Sequence, residues 1–254
     1  MSLIVERSGA VVTWILNRPE RRNAVDPATA RALREAVDAF EADADAAVAV
    51  LTGAGGHFCA GFDLKAVAEA APDYEPLGEG PMGPTRRLVA KPVLAAVEGY
   101  AVAGGLELAL WCDMRIASAS ATFGVFCRRW GVPLIDGGTV RLPRTIGQGR
   151  ALDMILTGRP VGAQEALAFG LADRVVAEGE ARAEAERLAA GIARFPALCM
   201  RTDRLSAYAG WDTDLAEALR AEAIAGTEPL REGAREGAAR FAGGRGRGGD
   251  FEEI

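Results

Sequence analysis

A single carboxylate, Glu107, stands in the first turn of an apolar helix that opens directly out of the glycine-rich turn Gly99–Tyr100–Ala101–Val102–Ala103–Gly104–Gly105. Unpaired N–H groups at such a helix start attract negative charge, and an acid a few residues away is what enolate chemistry needs. Phe58–Cys59–Ala60–Gly61–Phe62–Asp63–Leu64–Lys65 has the same build, small residues after a strand and then a helix. Two converging loops of this kind could hold one developing oxyanion. The plainer reading of Glu107 is an exposed carboxylate that favours a helix N-terminus through the dipole. Residue physics alone leaves both readings open.

The flanking elements follow from periodicity. Leu3–Glu6 and Ala10–Leu16 read as two strands of a hairpin turning at Ser8–Gly9. Asp26 caps the next helix, Pro27 takes its first position, and the helix runs to about Asp43 with Ala30, Leu33, Val37 and Phe40 on the core face. Strands are expected at Ala47–Thr52, Pro92–Val97, Met114–Ala117 and Ala172–Val176, with an extended piece at Thr122–Phe123. Helices are expected at Asp63–Ala70, Glu107–Trp111, Arg150–Leu156, Ala163–Phe169 and Glu180–Phe195, with helical character at Thr85–Ala90. The proline- and glycine-rich stretch Ala71–Pro84 reads as a mobile loop. Strands alternating with helices, then a mostly helical end from Pro196, give an α/β core over 1–195 and an α-helical subdomain over 196–254.

Composition narrows the function classes. At 254 residues, half of them hydrophobic, the chain can bury a sizeable core. A net charge of −6 without a basic stripe argues against a nucleic-acid partner. The four cysteines, Cys59, Cys112, Cys127 and Cys199, lack paired spacing, and with the lone His57 they form no zinc pattern. The longest charge-free run is broken by glycines, so no membrane span is expected, nor a signal peptide. The expected setting is the cytoplasm.

Four segments in order resemble the crotonase, or enoyl-CoA hydratase/isomerase, superfamily. Asn17–Arg18–Pro19–Glu20–Arg21–Arg22–Asn23–Ala24 resembles the family's first CoA-contact loop, and Phe58–Leu64 its first oxyanion segment. Gly99–Ala109 resembles the second, and Gly131–Arg144, with Asp136–Gly137–Gly138–Thr139, the segment after the active site. The resemblance implies a spiral of ββα turns with a helical C-terminal part that assembles trimers, often paired into hexamers. It implies an acyl-CoA thioester substrate and no metal or cofactor beyond the CoA that the substrate carries. It places the oxyanion-hole N–H groups at Phe62 and Gly104; fixed donors of this kind are worth about 3–4 kcal/mol each. Arg21, Arg22, Ala24, Ala60, Asp63 and Leu64 fall on CoA- or substrate-contact positions, and Phe126, Cys127 and Trp130 on the acyl pocket.

The same resemblance exposes a departure. The family's hydratases use two glutamates on one water; the first matches Glu107, and the second falls on Cys127. A thiol positions water poorly. Cys127 is a nucleophile if Arg128 or Arg129 lowers its pKa, and otherwise lines the pocket. Asp136 is the compensating carboxylate, although family isomerases carry theirs one residue earlier, where this chain has Ile135. The alternative for Asp136 is a cap of the helix starting near Gly138. Arg141, Arg144, Arg245 and Arg247 read as surface or interface charges. The expected function is hydration of enoyl-CoA thioesters, with two alternatives: isomerisation or another crotonase-type reaction by one carboxylate, or non-catalytic acyl-CoA binding. A dinucleotide site fails on glycine spacing.

Overall fold

A tight turn with Gly9 at φ +57° folds β1 (Leu3–Ser8) antiparallel onto β2 (Val11–Leu16). In this computed structural model, residues 1–69, 74–246, 248 and 251 are described. The next element, α1 (Pro27–Ala42), begins as its sequence dictates: Asp26 accepts the Thr29 N–H at 2.8 Å, and Pro27 occupies the first position. Its buried stripe is Thr29, Ala30, Leu33, Val37 and Phe40. At its far end the Lys91 ammonium donates to the carbonyls of Phe40 (2.6 Å) and Asp43 (2.5 Å), placing a cation where the helix dipole favours one.

Then the chain repeats one device. β3 (Val48–Gly53) leads through a second short extended piece at Cys59–Phe62 into α2 (Leu64–Glu69). β4 (Val93–Val97) leads through β5 (Tyr100–Val102) into α3 (Gly104–Trp111). β6 (Met114–Ser118) leads through β7 (Thr122–Gly124) into a 3-10 turn at Phe126–Trp130. There follow α4 (Gly138–Ile146), α5 (Gln148–Thr157), β8 (Val161–Gly162), α6 (Ala163–Phe169), β9 (Arg174–Val176) and α7 (Ala181–Ile192). One sheet has the order β1-β2-β3-β4-β6-β9, parallel apart from the opening hairpin, and a smaller one has the order β5-β7-β8. Each turn of this spiral of ββα units therefore delivers one short strand, and the residue after it, to the same layer.

The two-sided burial of the parallel strands explains their continuous apolar runs. Trp14, fully buried, packs edge-on to Phe40 with centroids 5.4 Å apart and stacks on Trp111 at 6.5 Å. Each such pair adds about 0.5–1.5 kcal/mol beyond area burial.

The chain separates into two compact units, Met1–Ala189 and Ala190–Ile254. The second contains α8 (Ala197–Ala209) and α9 (Leu215–Ala225), and continues through a π-helical turn at Leu230–Ala234 into a last helix, Arg235–Ala242. No helix among the described residues is long and apolar enough to cross a membrane.

Thr85–Ala90 is not helical but a turn followed by irregular chain. Its polar groups are taken by distant side chains: Arg141 Nη2 donates to the Thr85 carbonyl (2.7 Å), Trp111 Nε1 to the Arg87 carbonyl (2.9 Å), and the Glu41 carboxylate accepts the Ala90 N–H (2.7 Å). A helix would need those same groups. Of the loop read at Ala71–Pro84, residues 71–73 lie outside the described residues, as do Ala70 and Arg247.

Candidate active site

The two glycine-rich segments meet edge to edge. Cys59 bridges Ala101 in parallel register, and Val25 bridges Phe62. That second bridge uses the Val25 N–H, which donates to Gly61 O, and the Asp63 N–H, which donates to Val25 O, both at 2.8 Å. The Phe62 N–H is left over. Gly104 opens α3, whose first internal bond runs from the Glu107 N–H to Ala103 O (3.2 Å), so the Gly104 N–H is unspent as well. Among the described residues neither N–H has a backbone acceptor. Gly61, at φ +101°, lets the segments touch: a Cβ there would lie 2.9 Å from Gly104 N. Ala103 holds φ 54° and ψ −125°, a conformation costing about 1–3 kcal/mol for a residue with a side chain. Its own N–H, donated to Gly124 O at 2.9 Å, helps hold it there.

Glu107 is not on the surface. It is 2% exposed, and its Oε1 accepts the N–H groups of Asp136 and Gly138, both at 2.8 Å. Gly138 is the first residue of α4, whose N-cap, Gly137 (φ +96°), has no side chain to satisfy it. Glu107 therefore caps a helix other than its own. Burial pushes its pKa up to about 7, an effect opposed by the Gly138 N–H and reinforced by the nearby Asp136 charge.

Asp136, also 2% exposed, does not cap α4. Its Oδ1 accepts the Met82 N–H (3.1 Å) and the Thr85 hydroxyl instead. Burial raises its pKa, against the lowering effects of those two donors and of the Arg86 and Arg141 guanidinium groups. Two buried carboxylates with raised proton affinity thus stand side by side, each with one oxygen engaged by fixed donors.

Both line a cavity of about 660 Å³ together with Phe62 and Gly104. Arg22, Ala60, Leu64, Phe126, Cys127 and Trp130 line it too. Arg21, Ala24 and Asp63 do not; Asp63 pairs with Arg18 at 3.0 Å and accepts the Lys65 N–H at the start of α2. Arg22, left-handed at φ 49°, lies over the Tyr100 ring, and the buried Asn23 side chain pins this loop to the carbonyls of Ala54 and His57. Cys127 is 6% exposed, and burial followed by the Glu107 charge raises its thiol pKa. That direction opposes a thiolate nucleophile. Trp130 is 66% exposed, at the rim.

Three contributors were not legible as site residues. Met82 lines the cavity, with its sulfur 2.5 Å from where a Gly104 Cβ would stand. Thr85 holds Asp136. Arg141, read as a surface charge, donates to the carbonyls of Asp136 (3.1 Å) and Thr85. Nothing in local sequence joins residues some fifty positions apart; only the fold does.

Comparison with known proteins places the chain in a family. The family model described as enoyl-CoA hydratase/isomerase matches residues 6–247. The chain is 41% identical over 196 residues to enoyl-CoA hydratase EchA19 of Mycobacterium tuberculosis, covering 74% of this chain and 73% of that one. It is 43% identical to the carnitinyl-CoA dehydratase of Proteus mirabilis (76% and 74% covered) and 39% identical to the (E)-benzylidenesuccinyl-CoA hydratase of Thauera aromatica (85% of each). The crystal structure of enoyl-CoA hydratase EchA1 from Mycobacterium marinum superimposes with a TM-score of 0.89 at 36% identity, over 95% of this chain and 96% of that one. With its spiral of ββα turns and its glycine-rich segments meeting at one cavity, the chain belongs to the crotonase, or enoyl-CoA hydratase/isomerase, superfamily of acyl-CoA enzymes.

Proposed function

We propose that this chain hydrates 2-enoyl-CoA thioesters and catalyses the reverse dehydration, with Glu107 and Asp136 as the proton carriers. The carrying observation is their adjacency: two buried carboxylates, joined through the Asp136 N–H, lining one cavity with the unspent N–H groups of Phe62 and Gly104. The thioester oxygen accepts both N–H groups. Water attacks the β-carbon and gives its proton to Asp136. The electrons of the double bond move to the α-carbon and carbonyl, where the two donors hold the enolate oxygen. Glu107, protonated because of its raised pKa, gives its proton to the α-carbon. The net change is one water across the double bond. Passing the proton from Asp136 back to Glu107, directly or through water, resets the pair. The chemistry is assigned to the chain's own groups, and the CoA arrives with the substrate.

Isomerisation is the alternative function. Cys127 stands against Glu107 at the position where the hydratases of the resemblance carry a second glutamate. One carboxylate shuttling a proton between the α- and γ-carbons would make the chain an isomerase. Turnover of 2-enoyl and 3-enoyl thioesters by the parent, Glu107→Gln and Asp136→Asn separates the readings. Hydration lost in both variants supports the pair. Double-bond migration that survives Asp136→Asn supports a single shuttle. No turnover with tight acyl-CoA binding means a binding protein.

The assembly we propose is a homotrimer or hexamer built through the C-terminal unit, which displays Leu198, Leu215, Leu219, Ile224 and Phe241 on its surface. The setting we propose is the cytoplasm, whose reducing conditions suit four free cysteines.

A further inference from the structure

One guanidinium group spends its donors on two segments of chain, 74–78 and Ile135. Arg86 Nη1 donates to the carbonyls of Glu75 (3.2 Å), Pro76 (3.0 Å) and Gly78 (2.9 Å). Its Nε (3.3 Å) and Nη2 (3.1 Å) donate to Ile135 O, and Nη2 also reaches the Tyr74 hydroxyl (2.9 Å), over whose ring the group lies. The first segment continues as Glu79–Gly80–Pro81–Met82, a stretch of cavity wall turned by a Gly83 N–H to Gly80 O bond at 2.9 Å. The second carries Asp136. The two meet directly as well, since the Met82 N–H and Thr85 hydroxyl donate to Asp136 Oδ1. Gly80 permits the approach: a side chain there would collide with that same oxygen.

We propose that Arg86 is a positioning residue that ties the 74–82 wall of the cavity to Ile135 and so fixes where the Asp136 carboxylate stands. It does not line the cavity, so its effect on turnover is exerted through Asp136 and the wall. A lysine could replace the charge but not the span, because an ammonium is a single point donor and cannot bridge both segments.

The charged and titratable groups around Asp136 come from several elements. Glu107 reaches it from α3, Arg141 from α4 and Arg86 from the segment before β4; Cys127 stands beyond Glu107, and Glu75 and Glu79 lie on the tethered wall. Removing the Arg86 charge therefore raises the proton affinity of Asp136.

The role in turnover rests on the assignment of Asp136 as a proton carrier, and the test keeps the two apart. The full chain is compared with Arg86→Met, Arg86→Lys and Asp136→Asn by kcat and KM against pH, and by amide exchange at Met82 and Gly83. Arg86→Met should lower kcat by about 10–100-fold, the cost of a misplacement near 1 Å. It should also move the acid limb of the pH profile upward and speed exchange at Met82. Arg86→Lys should bring the acid limb back toward the parent yet keep the fast exchange. A folded Arg86→Met with parental exchange and a parental pH profile overturns the proposal. So does Arg86→Lys with parental exchange, and this result decides the matter if the methionine variant does not fold. Full activity in Asp136→Asn would instead sink the proton-carrier role, while exchange at Met82 would still test the tether.

Discussion

The Asp136 N–H donates to Glu107 Oε1 at 2.8 Å, so the backbone of one carboxylate residue holds the side chain of the other. The pair is positioned by a bond that neither of the proposed proton-carrying functions has to break, since it uses the Asp136 main chain.

Replacing Glu107 with Gln keeps an oxygen to accept the Asp136 and Gly138 N–H groups and removes the exchangeable proton. Turnover should fall by about 10²–10⁴-fold, while the far-UV spectrum and melting behaviour stay close to the parent. A steady-state assay on an enoyl-CoA thioester checks this, and a loss below threefold would end the assignment.

The raised pKa of Glu107 has a stability consequence. The group holds its proton up to about 7 when folded and up to its ordinary 4.5 when unfolded, so between those values the folded chain binds more protons. Its contribution is therefore most favourable below pH 4.5 and declines as pH rises through 7, by as much as ~3 kcal/mol. Denaturant titrations of the parent across that range should show the decline, and Glu107→Gln should flatten it. Parallel curves for the two proteins would refute the shift.

Asp136→Asn keeps an acceptor for Thr85 and Met82 and removes a like charge from beside Glu107. The Glu107 pKa should fall, because the charge that Asp136 supplies raises it. A carboxyl resonance followed by NMR against pH measures this directly; an unchanged midpoint would contradict the coupling.

Gly61→Ala should act at two levels. The residue sits at φ +101°, where a side chain is strained, and the new methyl group would press on Gly104 N from 2.9 Å. A stability loss of about 1–3 kcal/mol is expected, with a turnover loss larger than the unfolded fraction explains, because the two donors are pushed apart. Calorimetry and kinetics on one preparation separate the effects.

Thiol labelling at neutral pH gives a further check. Cys199 is exposed, whereas burial raises the Cys127 thiol and pushes the Cys59 thiol up to about 12. Iodoacetamide should modify Cys199 first and leave Cys127 largely intact; rapid loss of Cys127 would reopen its reading as a nucleophile.

What could be read from sequence divides along physical lines. The α1 cap at Asp26–Pro27 and its buried stripe are local patterns, and both were legible. The short strands β5 and β8, three and two residues long, carry too little periodicity to register. Thr85–Ala90 has helical composition, but carbonyls and N–H groups claimed by Arg141, Trp111 and Glu41 override it. At the site, Glu107 and Asp136 stood out as acids beside glycines. Their partners Met82, Thr85 and Arg86 did not, because nothing marks a residue whose role is to hold another one far along the chain.

The spiral has a consequence for how such a protein can change. Successive turns bring Phe62, Gly104 with Glu107, and Cys127 to one layer, and Asp136 arrives on a separate later loop. One of the two proposed donors, Gly104, shares α3 with Glu107, whereas Cys127 and Asp136 stand on segments that carry neither donor. On the proposed roles, a substitution at 127 or 136 alters where a proton goes while the Phe62 and Gly104 donors stay as they are. On those roles, new reactions are reachable by single substitutions, each tried on an unchanged pair of backbone donors.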